Sequence, residues 1–436
     1  MQTTQENASQ LEKRLDLAVP LQDIDAEVDI RLKKLSRTVK MQGFRPGKVP
    51  LKMVAQQYGG QVRQEVLGEK VQKLFEDAVQ EQQLKVAGYP RIEAKPSQEN
   101  AAHFEFTATF EVYPEVAVGD LGAVEITRPQ VEVSEEAIDK TIEVLRKQQA
   151  RYEPVDRAAA DGDKVDIDYR GLLEGADFQG GQDKGFQLIV GKGHALPDFE
   201  RQLVGMKAGE SKTFEATFPE DYHGKELAGK TVKFEVTLNR VEEQKLPEVN
   251  ADFANSLGVK DGSLETMRKE IKESLEREVK RRVQDSVKEQ AMKALLETTK
   301  LELPKALVEM EANRLMQRMQ QDLAARGLQV QDIPFSPETH METARRRVAL
   351  GLILAEVVKA QQLHAEPEQV RELVEEYAQA YEQPEEMVRW YYSNPERLAE
   401  AESLVLEGKV VAWVLTQAKV VDKPTAFDEL MGNARA

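Results

Sequence analysis

Basic side chains crowd one window of an otherwise acidic chain. The formal net charge of the 436 residues is -17, yet the stretch from residue 31 to residue 64 holds no Asp or Glu. It carries nine basic residues: Arg31, Lys33, Lys34, Arg37, Lys40, Arg45, Lys48, Lys52 and Arg63. An island of positive charge of this kind is suited to bind a polyanion or an acidic protein surface.

The centre of that window, residues 41–50, is predicted to be a loop. It contains two glycines, which lack a firm backbone preference, and two prolines, which lack a backbone donor. The loop displays Phe44, Arg45 and Lys48 between two helical segments. An aromatic anchor beside positive charge suits docking to a partner. The alternative is a solvated turn whose phenyl ring packs on its own domain.

A second feature with chemical potential is the aromatic density of residues 152–243. Four β-rich runs are predicted there, at 165–172, 185–190, 211–218 and 231–242. Nine of the 26 aromatic residues fall in this segment: Tyr152, Tyr169, Phe178, Phe186, Phe199, Phe214, Phe218, Tyr222 and Phe234. Such a set forms either a plain sheet core or the lining of an apolar cavity.

Several classes of reaction are excluded by composition. There is no cysteine, which removes disulfides, thiolate metal sites and cysteine nucleophiles. Residues 152–243 show no Ser/His/Asp arrangement, phosphate-binding loop or carboxylate pair. No two histidines have the spacing of metal ligands: His103, His194, His223, His340 and His364. We therefore expect neither a metal nor a cofactor.

The length predicts several domains, because 436 residues are too many for one core. We expect an α+β domain over 1–113, a connector over 114–151, a β-rich domain over 152–243 and a helical domain over 244–436. The first ten residues lack an apolar signal core. The longest apolar run, 348–355, is far shorter than the ~20 residues that span a bilayer. A cytoplasmic protein without a membrane partner is expected.

The first domain is predicted to contain strands at 11–20, 91–94 and 103–113 and a helix over 21–41. A short helix from Pro50, a break at Gly59–Gly60 and a helix over 61–82 complete it. In the helical domain, the apolar positions of 263–301 recur every fourth residue, so this stripe rotates by roughly 280° and needs different neighbours along its length. The apolar centre of a third helix, 348–358, is predicted to be buried nearly all round.

Methionines are concentrated in the helical half of the chain. This flexible, polarisable side chain suits surfaces that accept varied apolar shapes, although single methionines more often fill gaps in a core. Met310, Met316 and Met319 together are interpreted as part of a surface that cradles apolar polypeptide.

The loop carries the first resemblance to a known family. Gly43, Phe44, Arg45, Gly47 and Pro50 match the ribosome-docking signature Gly-Phe-Arg-x-Gly-x-x-Pro of the trigger factor family, bacterial chaperones that meet nascent chains at the exit tunnel. Pro46 and Lys48 occupy its variable positions. The resemblance implies that this segment binds the ribosome through six residues: Gly43, Phe44, Arg45, Pro46, Gly47 and Lys48.

The β-rich segment resembles the FKBP-type prolyl isomerases along its length, in the motifs at 165–171, 186–191, 196–205, 218–223 and 232–236. Gln179 and Ala195 depart from that family's usual residues, which leaves substrate preference open. The resemblance implies that seven side chains line the proline pocket, with Phe199 as its floor: Tyr169, Phe178, Phe186, Leu196, Phe199, Tyr222 and Phe234.

This residue set agrees with the chemistry of prolyl isomerisation. Rotation about an X-Pro bond costs ~18–20 kcal/mol because amide resonance is lost in the twisted state. A dry aromatic pocket disfavours the more polar planar amide, and a backbone donor can hold the substrate carbonyl. No covalent step is required, so no nucleophile has to be found.

The resemblance to the trigger factor family extends over the full chain, with further matches at 110–116 and 145–150. It implies a multidomain α+β protein: an α+β docking domain, an FKBP-like antiparallel sheet with a short helix, and an all-α C-terminal domain with long helical arms. The implied function is that of an ATP-independent chaperone that binds nascent and unfolded polypeptides, assists folding and export, and isomerises X-Pro bonds. The implied ribosomal partner is the large subunit near the exit tunnel, both protein and rRNA.

Two other functions stay open at this point. One is a free-standing prolyl isomerase whose helical half is a dimerisation module. For the chaperone itself, the sequence leaves both a monomer and a homodimer open off the ribosome. The other is an RNA-binding protein that uses the basic window, although stacking aromatics do not alternate with its charges.

Overall fold

The computed structural model describes residues 11–41, 44, 47–96, 102–193, 195–220, 222, 227–327, 335–379, 381 and 383–432. The chain forms two compact units, each built from two separate stretches of sequence. Unit 1 comprises residues 1–128 and 285–423, and unit 2 comprises residues 129–284 and 424–436. The fold mixes helices and antiparallel sheets, as the sequence predicts.

The first stretch of unit 1 is a three-stranded antiparallel sheet covered by two helices. Its elements are β1 (Glu12–Pro20), α1 (Leu21–Thr38), α2 (Leu51–Glu81), β2 (Val86–Ala94) and β3 (His103–Val112). The strand order is β1-β3-β2. Alternation along β3 turns Phe106, Ala108 and Phe110 inward, where they pack on helix residues such as Val66 and Phe75. The predicted strands and the first helix are confirmed.

The predicted helix break at Gly59–Gly60 is wrong, because α2 continues through both residues. A glycine inside a helix costs about 1 kcal/mol relative to alanine, which weakens a helix without ending it. Val54, Val62 and Val66 are buried on either side of the pair and hold the helix against the sheet. Tertiary packing therefore overrides the local preference.

Unit 2 contains a five-stranded antiparallel sheet. Its elements follow the strand β4 (Glu125–Gln130), which crosses from unit 1: α3 (Glu135–Gln148), β5 (Arg151–Pro154), β6 (Lys164–Leu173), β7 (Ala176–Ile189), α4 (Pro197–Leu203), β8 (Ser211–Thr217), β9 (Thr231–Lys245) and α5 (Ala251–Ser256). The order is β5-β9-β6-β7, and β8 also pairs with β9. The four predicted β-rich runs are confirmed.

The helix α3 begins where the sequence places a cap, since the Ser134 hydroxyl accepts a hydrogen bond from the Ala137 N–H at 3.2 Å. Its apolar face buries Ile138 and Ile142 in a cluster with Phe253. This cluster also takes up the start of α6 (Leu264–Thr298), the helix predicted over 263–301.

The second stretch of unit 1 is helical. It contains the end of α6, then α7 (Lys305–Ala325), a 3-10 turn at Pro337–His340, α8 (Met341–Ala360), α9 (Pro367–Ala378), α10 (Pro384–Tyr392), α11 (Pro395–Gln417) and the strand β10 (Lys419–Pro424). The helix α12 (Phe427–Leu430) belongs to unit 2. β10 pairs with β4, a strand pair that the sequence analysis does not contain. Within the described residues, no helix is sufficiently long and apolar to cross a membrane.

Two predictions about apolar stripes have different outcomes. The stripe of α6 does meet different neighbours: Met267 packs in the α3 cluster of unit 2, whereas the buried Leu295 belongs to unit 1. The centre of α8 is not buried all round. Only Ala349, Ile353 and Val357, spaced four residues apart, are buried there, because the helix packs along one face.

A carboxylate of the sheet caps a distant helix in unit 1. The N-cap of α7 is Pro304, which has no side-chain acceptor. Instead, the Glu111 carboxylate on β3 accepts a hydrogen bond from the Ala306 N–H at 2.8 Å. Gly88 lies so close that a Cβ there would approach the Ala306 Cβ to 2.6 Å. The sheet and the start of α7 are therefore in direct contact.

Replacing Glu111 by alanine is expected to lower the free energy of unfolding by about 1 kcal/mol, because it removes a cap and a negative charge from a helix N-terminus. Urea unfolding followed by circular dichroism measures this change. Glu105→Ala, an exposed carboxylate on the same strand, is the control. Equal stability of the two variants would contradict the capping role.

Candidate active site and docking surface

The seven side chains predicted for the proline pocket all line one cavity of about 670 Å³ in unit 2. They come from three strands, the loop after a fourth strand, and the start of one helix. Tyr169 is on β6, Phe178 and Phe186 are on β7, Leu196 and Phe199 are at the start of α4, Tyr222 follows β8, and Phe234 is on β9. Side chains up to 65 residues apart in sequence, Tyr169 and Phe234, thus share one cavity wall.

Strand alternation explains why these residues point inward. On β6, Val165 and Ile167 are buried and Tyr169 continues the same face. On β9, Val232, Phe234, Val236 and Leu238 form the matching buried row. The register pairs Tyr169 with Val236 and Gly171 with Phe234. The paired strands β6 and β9 therefore place Tyr169 and Phe234 on the same buried face of the sheet.

Phe199 is the hub of the aromatic contacts. Its side chain is 5% exposed. Its ring centroid lies 5.1 Å from that of Phe234, 5.3 Å from that of Phe214 and 6.1 Å from that of Tyr169, and all three contacts are edge-to-face. Tyr169 in turn packs on Phe186 at 5.6 Å. Edge-to-face packing fixes ring orientation as well as burying area, so the cavity floor is rigid.

Two glycines make room for the ring of Phe178. A Cβ at Gly171 would lie 2.9 Å from the Phe234 ring and 3.1 Å from the Phe178 ring. A Cβ at Gly181 would lie 2.9 Å from Phe178. Side chains at either position would displace rings of the cavity wall, which is why the strands carry glycine there.

The cavity is apolar. None of its described lining residues has a charged side chain. Desolvation, followed by the nearby Asp183 carboxylate, raises the pKa of Tyr169, so its hydroxyl stays neutral at physiological pH. The backbone N–H of Leu196 has no acceptor among the described residues and is available at the rim. The arrangement can desolvate an amide and offers no nucleophile.

Other cavity residues were missed by the sequence analysis. Phe218, four residues before Tyr222, also lines the cavity, and its ring lies 4.7 Å from the tyrosine ring. The available signal was the motif at 218–223, of which only Tyr222 was assigned to the pocket. Leu227 is a further addition. Ala195, one departure from the FKBP pattern, is a lining residue, whereas the side chain of Gln179 lies outside the described part.

The predicted docking loop is described only in part. Gly43, Arg45 and Pro46 lie outside the described residues. Phe44 is 38% exposed and therefore does not pack into the core of its own unit. Gly47 has φ +81°, a conformation that favours glycine. Lys48 is exposed.

Eight of the nine basic residues of the window are described, all but Arg45, and they divide into paired and unpaired ones. Arg31 contacts Glu27 and Glu69, and these carboxylates raise its pKa. Arg63 contacts Asp25. Six exposed side chains form no ion pair with any described residue: Lys33, Lys34, Arg37, Lys40, Lys48 and Lys52. The net positive surface therefore follows the second half of α1 and the start of α2.

Several helices of unit 1 carry large apolar side chains that are exposed to solvent. Met310 and Met319 on α7 are 46% and 36% exposed, and Met316 is half-buried. The sequence analysis missed an aromatic group around α9 and α10, in which the Arg397 guanidinium lies 3.6 Å from the Trp390 ring centroid. Its exposed members are Tyr377, Tyr381, Trp390 and Tyr392. Large aromatics left in water are a sign of a binding surface.

Comparison with known proteins assigns the family. The model of the bacterial trigger factor protein matches residues 1–145, that of its C-terminus residues 263–416, and that of FKBP-type peptidyl-prolyl cis-trans isomerases residues 155–239. A relative named trigger factor from Nitrosospira multiformis is 56% identical over 100% of both chains. One from an Azoarcus species is likewise 56% identical over 100% of both.

Among solved structures, a chain from a study titled "Promiscuous Substrate Recognition in Folding and Assembly Activities of the Trigger Factor Chaperone" is 19% identical. It covers 96% of this chain and 100% of its own, with a TM-score of 0.47. Family assignment does not need this likeness, because relatives more than half identical extend over the whole sequence. The chain belongs to the trigger factor family.

Proposed function

We propose that the aromatic cavity of unit 2 is the isomerase site of this ribosome-associated chaperone. Membership of the family makes the chain a chaperone with FKBP-type peptidyl-prolyl cis-trans isomerase activity. The observation that supports the site is the convergence of seven predicted side chains on one cavity that has no charged lining residue. Its residues are Tyr169, Phe178, Phe186, Leu196, Phe199, Tyr222 and Phe234.

In this proposal the cavity acts by differential solvation. The proline ring rests on Phe199, between Tyr169 and Phe234, which strips water from the X-Pro amide. The planar amide is more polar than the twisted one, so a dry site favours the twisted state. The Leu196 N–H donates to the substrate carbonyl and holds one side of the bond while the other rotates.

The proposed holding surface for unfolded chains is the exposed apolar set of unit 1. Met310 and Met319 offer adaptable thioethers, and Trp390 and Tyr392 offer flat rings. No nucleotide is needed, because each contact is small and reversible. The charge of -17 keeps the protein soluble while these side chains face water.

The proposed docking surface combines Gly43, Phe44, Arg45, Pro46, Gly47 and Lys48 with the unpaired lysines and arginine of α1. Phe44 inserts into a ribosomal protein near the exit tunnel, and the basic side chains face rRNA phosphates. Support comes from the exposure of Phe44 and from the six unpaired cations. A cytoplasmic location follows from this partner.

We retain the division into a docking domain (1–113), a connector (114–151), an isomerase domain (152–243) and a holding domain (244–436) as a proposal. It is supported by family models that match 1–145, 155–239 and 263–416. Relatives alike over the full length favour this chaperone over a free-standing isomerase or a dedicated RNA-binding protein.

Phe199→Ala and Phe178→Ala are each expected to lower kcat/KM for an X-Pro tetrapeptide by about tenfold or more, because each removes a ring that desolvates the amide. A protease-coupled or NMR exchange assay measures the rate. Tyr152→Ala, an aromatic of the same domain outside the cavity, is the control. Full activity in both pocket variants would refute the assignment.

Phe44→Ala combined with Arg45→Ala is expected to weaken ribosome binding by at least about tenfold, through loss of the anchor and of one phosphate or carboxylate contact. Co-sedimentation with empty and translating ribosomes over a salt series measures this. Arg63→Ala, which removes a basic residue already paired with Asp25, is the matched control. Undiminished binding of the double variant would remove the docking role.

Trp390→Ala combined with Tyr392→Ala is expected to raise, about threefold or more, the chaperone concentration that halves aggregation of a denatured client, since two exposed rings are lost. Light scattering follows the aggregation. Tyr89→Ala, which removes an 85% exposed ring from β2, serves for comparison. If both variants suppress aggregation equally well, the α10 rings do not hold clients.

A further inference from the structure

One buried carboxylate stands beside the aromatic cavity without lining it. Glu200 on α4 is 5% exposed and is one of three buried polar or charged side chains in the described part of the chain. A buried carboxylate requires strong partners, because its desolvation is costly. Among the described residues Glu200 has no cationic partner, and its carboxylate accepts hydrogen bonds from backbone N–H groups.

These partners are three alternate residues of the loop between β7 and α4. Glu200 Oε2 accepts hydrogen bonds from the Gly191 N–H at 2.9 Å and the Gly193 N–H at 3.2 Å. Oε1 accepts one from the Ala195 N–H at 2.9 Å. None of the three N–H groups has a backbone acceptor in the described structure. The carboxylate is therefore the acceptor that satisfies these three N–H groups.

The backbone conformation of the loop directs these N–H groups toward the carboxylate. Gly191 and Gly193 have φ +81° and +72°, which curl the backbone so that successive N–H groups converge on one anion. A Cβ at Gly191 would lie 1.6 Å from Asp161 Oδ1, so the approach also demands glycine. Glu200 binds the loop once more through its own N–H, which donates to the Leu196 carbonyl at 2.9 Å.

The loop borders two clefts, so packing contributes less to its shape than it would in a closed core. Gly193, Ala195, Leu196 and Pro197 line the aromatic cavity. Behind the loop, a second cleft of about 320 Å³ is lined in part by Gly191, Gly193, Pro197 and Glu200. Gly193 and Pro197 line both clefts, so the hydrogen bonds to Glu200 contribute strongly to the shape of this segment.

We propose that Glu200 is a positioning residue for prolyl isomerisation: its carboxylate fixes the backbone at Gly191, Gly193 and Ala195 and thereby orients the Leu196 N–H and the neighbouring cavity wall. It touches no substrate and exchanges no proton. This inference rests on the proposed function, since it assigns a role at that same cavity.

The test is Glu200→Gln in the full-length chain. The amide keeps the size of the side chain but replaces one acceptor oxygen by an NH2 group, which faces one or two N–H donors and repels them. We expect kcat/KM for an X-Pro tetrapeptide to fall about tenfold, the scale of a lost hydrogen bond to a charged group. Amide hydrogen exchange is expected to accelerate at Gly191, Gly193 and Ala195, with the central strands still protected.

Asp198→Asn is the matched control, because this half-exposed carboxylate lies on the same helix and pairs with Arg201. It is expected to leave kcat/KM and loop exchange unchanged. Glu200→Asp, which keeps the charge but withdraws it by one methylene, is expected to have intermediate activity. In the unmodified protein, exchange at the three amides must already be slow for loop residues.

Three results would overturn the proposal. They are wild-type kcat/KM in Glu200→Gln, fast exchange of the three amides in the unmodified protein, or a loss of protection in Glu200→Gln that is uniform over the domain and so reflects stability alone. Failure of the proposed function is distinguishable. In that case Phe199→Ala and Phe178→Ala also retain activity, whereas failure of this inference alone leaves those variants impaired and Glu200→Gln active.

Discussion

Unit 1 depends on a hydrogen bond that joins its two stretches of sequence. The α7 N-terminus exposes backbone N–H groups that its own N-cap, Pro304, cannot satisfy, and Glu111 supplies the missing acceptor from 195 residues away. The segment after the sheet is just as close to the helical part. A Cβ at Gly119 would lie 2.1 Å from the Thr298 carbonyl oxygen, and the Gly119 N–H donates to the Thr299 hydroxyl at 3.3 Å. The three-stranded sheet and the helices that expose apolar side chains therefore belong to one folded unit.

The aromatic cavity of unit 2 is specified differently, by the register of its strands. Pairing of β6 with β9 places Gly171 opposite Phe234, and the absence of a side chain at that glycine admits the ring of Phe178. A one-residue slip would turn Tyr169 and Phe234 to the solvent face. The α4 helix contributes Phe199, whose ring packs on Phe234, and Glu200, whose carboxylate binds the loop before the helix. Floor and rim are thus fixed by two kinds of force, ring packing and charged hydrogen bonds.

Much of the fold was predictable because its signals are periodic. Apolar residues recur at every second position from Phe104 to Val112 and at every fourth position along α6. Both patterns depend only on the backbone repeat of a strand or a helix. The failures have non-local causes. Gly59–Gly60 does not break α2 because buried valines on both sides hold it, and β10 becomes a strand by pairing with β4, about 290 residues earlier. The seven cavity residues were named through the family resemblance. Phe218 was not named as a cavity residue, although it lies in a matched motif. Glu200 was not named because the acceptor role of a buried carboxylate becomes visible only when loop and helix are folded together.

In the proposed function, weak holding of clients and docking to the ribosome complement each other in free energy. Trp390 and Tyr392 are already about half covered, so burying the remainder against a client gives roughly 1 kcal/mol each. Three or four such contacts give about 4 kcal/mol before the entropic cost of association, so the Kd is no lower than about 1 mM. Such a site releases its client without nucleotide, but it would be almost empty at ordinary client concentrations. Attachment beside the emerging chain raises the effective concentration toward the millimolar range, which increases the occupancy of such a weak site. In the proposed function, docking through the basic surface at α1 and α2 therefore compensates for weak holding by the apolar surface of the same unit.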